Sequence, residues 1–247
     1  MSFNRLGTLA AGILGLGWLA AVIINLFVWQ PQLAELGPDV WNESFRFLPF
    51  VYANLVSWRF FHIGTTTGLM GLVVAIGLLS SLNREDKRWL AFTAVGLTGA
   101  ILALLASLFD HLATPVLARY AQLPEVEATA RSGQLIASIV WEAIEPFRDA
   151  GMKTVSYWFI GFWVIWQGGH WRRLGVLRLG QFSQILGWGL LVLAFIEMMI
   201  PQPWVNTIGE TGYAGFVVLL FPIWGLWTAA WFWGQEVAEA EDEGVTG

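Results

Sequence analysis

Asp110 and His111 stand side by side near the end of an apolar stretch that runs from Trp89 to Thr114. Another apolar stretch, Trp58 to Leu82, carries Arg59 and His62 in its first turns, and Glu197 lies in the last turn of a third. Glu142 and Glu145, spaced i,i+3 in a segment of helical periodicity, share one helix face. Two imidazoles and a carboxylate are a sufficient ligand set for Zn or Fe, so His62, His111 and Asp110 are candidate metal ligands. A metal held there would activate water, and a neighbouring carboxylate would take the proton. The wider set, Arg59, His62, Asp110, His111, Glu142, Glu145 and Glu197, is a candidate pocket for a small ligand, a lipid headgroup or a proton. Ion pairing is the third use of the same residues: Arg59 with Asp110, and Lys153 with Glu197 or Glu145, would tie helix ends together with no chemistry at all. The residue types leave all three open. They name no cofactor: no second histidine pair supports a haem between His62 and His111, and neither Lys87 nor Lys153 is central enough in a span to carry retinal. The third histidine, His170, is expected in an interfacial loop.

A charged side chain at the centre of a membrane span costs about 2.5 kcal/mol or more, so each one needs a partner or a task. That rule applies because the chain reads as a membrane protein. Of 247 residues, 56% are apolar and 13% charged, and the mean hydropathy is +0.60. The apolar residues come in blocks of the length a helix needs to cross ~30 Å of hydrocarbon. The alternation of a β-barrel is absent. With no cysteine, disulfides and thiolate sites are excluded, and a net charge of −5 offers no basic field for nucleic acid.

Six spans are expected, at Leu6–Trp29, Trp58–Leu82, Trp89–Thr114, Met152–Gly168, Phe182–Ile200 and Tyr213–Trp233. The fold class is therefore an all-α polytopic bundle, one transmembrane domain over residues 1–234. Pro31, Gly37 and Pro38 mark residues 30–46 as a loop, and Phe47 to Ser57 as an interfacial stretch. Pro115 is expected to close the third span. Leu135, Ile136, Ile139, Val140, Ala143 and Ile144 predict an amphipathic helix within 125–145, on the outer surface. Glu236, Glu239, Glu241, Asp242 and Glu243 make residues 235–247 an acidic tail, expected to be disordered.

Seven of the 13 basic residues, Arg5, Arg84, Lys87, Arg88, Arg172, Arg173 and Arg178, fall in short segments that would share one side. The positive-inside bias makes that side cytoplasmic, with both termini, in a cell membrane. Trp29, Trp58, Trp89, Trp171, Trp204 and Trp233 fall at predicted span ends, where indoles prefer the interface.

No phosphate-binding loop, zincin motif or nucleophile elbow is present. Gly187-Trp188-Gly189 and Pro222-Ile223-Trp224-Gly225-Leu226-Trp227 make the last third resemble uncharacterised bacterial multi-span membrane proteins, grouped as a domain of unknown function. The resemblance implies a membrane bundle and carries over no activity. The function expected is binding of a small ligand or membrane lipid at the outer polar cluster, or service as an accessory to other membrane subunits. A metal-dependent hydrolase acting at the outer leaflet is the alternative.

Overall fold

The structure is a computed structural model. It describes all residues except 38–39, 41–42, 123–128, 200–216, 218 and 246–247, and no side chains at 129–132, 149–150 or 239–245. Among the described residues it is all-helical: α1 Phe3–Ile24, α2 Gln30–Leu36, α3 Ser44–Ala53, α4 Leu55–Ser81, α5 Trp89–Ala121, α6 Thr129–Pro146, α7 Val155–Arg173, α8 Leu177–Met199 and α9 Phe221–Val245. π-helical turns at Asn25–Trp29 and Phe147–Thr154 join α1 to α2 and α6 to α7.

Four helical stretches among the described residues are long and apolar enough to cross a membrane: Phe3–Leu36, Leu55–Ser81, Trp89–Ala121 and Leu177–Met199. Those are four of the six expected spans. α7 is not among them, and its last turns carry Gln167, His170, Arg172 and Arg173. The start of the expected sixth span, with Trp204, lies outside the described residues.

The bundle is built on close backbone approaches. A Cβ placed on Gly17 would lie 2.6 Å from the Gly64 carbonyl oxygen, and one on Gly187 would lie 2.7 Å from that of Gly161. Only glycine lets α1 meet α4, and α7 meet α8, at this range. Gly7 and Gly15 receive Phe232 and Leu226 of α9 in the same way, whereas Gly12 faces open space. The core so formed is rich in large side chains, with Trp163, Trp171, Trp224 and Phe232 fully buried.

One end of this bundle collects the basic segments. Arg5 pairs with Glu236, and Asn83 donates to Gln167 at 2.9 Å. Asp86 accepts from Arg88 Nε at 3.1 Å, the Arg88 backbone N–H at 2.9 Å and Trp166 Nε1 at 3.2 Å. These bonds hold its carboxyl well below the usual carboxylate range. We call this the basic end. The opposite end carries a cap with a core of its own, in which Trp29 stacks on Trp58 with centroids 5.2 Å apart and Phe47 meets Trp141 at 4.6 Å.

Several expectations change. Gln30–Leu36 is helical rather than loop, because Pro31 sits in the first turn, where no N–H is needed; Gly37, at φ +90°, ends the helix. Pro115 lies inside α5, which runs on to Ala121. Lacking an N–H, it leaves the His111 carbonyl without its usual donor. His170 belongs to the last turn of α7, not to a loop; the link to α8 is a tight turn with Gly175 at φ +80°. The acidic tail continues α9 as far as Val245, as its alanine and glutamate content allows. Trp29, Trp58 and Trp171 are buried in protein contacts. α6 covers the expected amphipathic segment: Ala137 and Trp141 pack inward, while Leu135, Ile136 and Ile139 face out of the protein.

Candidate functional site

Helical periodicity sets four polar or amphipathic residues of α4, Trp58, His62, Thr65 and Thr66, on the face that meets Ser107, Asp110, His111 and Thr114 of α5. Antiparallel packing fixes the register. Trp58 Nε1 donates to the Asp110 carbonyl at 2.9 Å, and Ser107 Oγ lies 3.0 Å from Thr65 Oγ1 and 2.9 Å from Thr66 Oγ1. His62 falls between these two contacts. It is 6% exposed, with its ring 4.6 Å from Trp58 and 5.0 Å from Phe61. Neither of its ring nitrogens has a hydrogen-bond partner, and neither does the buried Nδ1 of His111.

Asp110 is held from the other side of the seam. Arg148, 7% exposed, reaches it from the π-helical turn after α6 and makes a salt bridge with its carboxylate. Thr114 Oγ1 donates to the same carboxylate oxygen at 3.3 Å. The Arg148 guanidinium also stacks over Trp141, 4.6 Å from the ring centroid, as a desolvated cation does over an indole. The expected Arg59–Asp110 pair is therefore replaced by Arg148–Asp110. Arg148 was the missed residue, and its only sequence signal is its place two turns beyond Trp141, on the same helical face.

The expected cluster divides. His62, His111 and Asp110 share the seam. Glu142 lies at the cap edge, accepting from Ser44 at 2.8 Å, and Glu197 accepts from Thr154 at 2.6 Å between α7 and α8. Glu145 is half-buried, and it and Lys153 each have an interaction partner. Among the described residues no group of three His, Cys, Asp or Glu could hold a metal ion. The proposed set fails on chemistry too, since the Asp110 carboxylate is committed to a guanidinium.

Arg59 is exposed and borders a groove of about 320 Å³ with His111 and Arg119, over Ile63, Leu112, Pro115 and Val116. A second, more open groove of about 770 Å³ runs between α1 and the α3–α4 junction, against Ala20, Ile23, Tyr52, Asn54, Val56 and Phe60. Both open at the cap end. The chain matches no protein-family model, no curated protein and no solved structure.

Proposed function

We propose that this is a six-span protein of the cell membrane, with cytoplasmic termini, that binds a small ligand or a lipid at the cap end of the α4–α5 seam. The topology rests on the seven basic residues gathered at one end of the bundle, which the positive-inside bias assigns to the cytoplasm. Reporter fusions at Gly247 and within residues 116–150 should then read opposite sides of the membrane. The same side for both rejects the six-span arrangement.

The binding reading rests on one observation, the unpartnered nitrogens of buried His62. A buried polar group without a partner costs about 1–3 kcal/mol, which a ligand that hydrogen-bonds the ring would offset. His62→Phe tests this, since it keeps an aromatic ring against Trp58 and removes both nitrogens. If the imidazole has no ligand, the variant is neutral or more stable and carries the same co-purifying small molecules. If it has one, mass spectrometry of the purified protein should show that molecule reduced about tenfold, a loss equivalent to one good hydrogen bond. Identical profiles for the two proteins reject the reading.

A further inference from the structure

Two arginines border the 320 Å³ groove along α4 and α5, and among the described residues neither has a counter-charge. Among the described residues no hydrogen bond or ion pair reaches the guanidinium of Arg59 or of Arg119. Four of the described acids at the cap end are engaged elsewhere: Asp110 with Arg148, Glu142 with Ser44, Glu197 with Thr154 and Glu43 with Arg46. His111 adds a third polar group to the groove wall, and its Nδ1 is buried without a partner.

The polarity of the groove has a direction. Trp58 lies level with Asp110, so Arg59 and His111 share a level, and Arg119 lies two turns further toward the cap, about 12 Å along α5. Long arginine stems let both guanidinium groups reach the space between them. Ile63 lies a turn deeper than Arg59, whereas Leu112, Pro115 and Val116 line the interval between the levels of Arg59 and Arg119, and Leu112 and Val116 are strongly exposed. The two arginines thus bracket an apolar strip that faces out of the protein and continues past Arg59 to Ile63. That is the pattern of an amphiphile with an anionic head and a hydrocarbon tail.

We infer that the Arg59–Arg119–His111 groove binds a net-anionic phospholipid, its phosphodiester between the two guanidinium groups and an acyl chain running from there along Leu112 to Ile63. Arginine forks match phosphate oxygens two at a time. A zwitterionic headgroup fits worse, because its ammonium would meet two arginines with which no described acid pairs. The inference rests on the reading that this end of the α4–α5 pair binds a ligand, and it names the class.

The experiment is native mass spectrometry of the detergent-solubilised full chain with phosphatidylglycerol, phosphatidylcholine or inorganic phosphate added. Wild type should hold phosphatidylglycerol about tenfold more tightly than phosphatidylcholine. Arg59→Gln with Arg119→Gln should bring the two lipids within about twofold, and the Lys/Lys pair should retain an intermediate preference. Both side chains are exposed and unpaired, so the variants should keep the wild-type thermal midpoint. Equal affinity for both lipids in wild type, or full preference in the Gln/Gln protein, overturns the inference. Displacement of the lipid by millimolar inorganic phosphate overturns the lipid as the source of the anion. His62→Phe, run alongside, keeps the lipid preference if only the seam reading is wrong, so the two failures are distinguishable.

Discussion

Asp110→Asn should cost about 3–5 kcal/mol of stability, because it leaves the Arg148 guanidinium charged, 7% exposed and without its carboxylate. The amide can still accept from Thr114, so the loss isolates the charge rather than the contact. Removing the other charge as well, in Asp110→Asn with Arg148→Met, should restore most of the stability, since an apolar stem can still cover Trp141. Unfolding in mixed micelles measures both. A double variant no better than Asp110→Asn would reject the ion pair as the link between α5 and the turn after α6. Arg59→Gln, by contrast, should leave the midpoint unchanged.

The second large effect is expected at Trp163. Its ring is fully buried where α5, α7 and α9 meet, against Gly96 on one side and 6.1 Å from the Trp224 ring on the other. Its Nε1 donates to Ser80 Oγ at 3.0 Å, which ties α7 to α4. Trp163→Ala should therefore cost about 3–5 kcal/mol through the cavity it opens. Trp163→Phe fills most of that space and loses the hydrogen bond, so it should cost about 1 kcal/mol more than packing alone. Equal midpoints for wild type and the alanine variant would remove Trp163 from the framework of the bundle.

Long apolar blocks made the helical class readable in the sequence, because hydrocarbon thickness dictates their length. The polar seam was half readable. His62, Asp110 and His111 stood out as ionisable groups in apolar stretches, whereas Thr65, Thr66, Ser107 and Thr114 carry no charge and were passed over despite their helical spacing to those residues. Pairing was not readable. Asp110 had Arg59 and Arg148 as possible partners, and the choice depends on α6 lying against α5 so that the π-helical turn after it brings Arg148 to the seam, which no local pattern encodes. Prolines misled twice, at Pro31 and Pro115, since a helix start needs no N–H there and a long span absorbs one missing bond. Trp58 and Trp171 do fall near helix ends, whereas Trp29 lies inside the helical run Phe3–Leu36, and the burial of all three depends on which neighbour arrives.

α1 is packed on α9, with Gly7 and Gly15 shaped to receive Phe232 and Leu226, and Arg5 meets Glu236 at the same end. The packing of α1 is therefore complete only when α9 is in place. Without residues 221–236 the Gly7–Gly15 side of α1 lacks its partner, while the neighbouring side can already settle on Gly64 and Gly68 of α4. A chain cut short of α9 leaves that side of α1 unsealed.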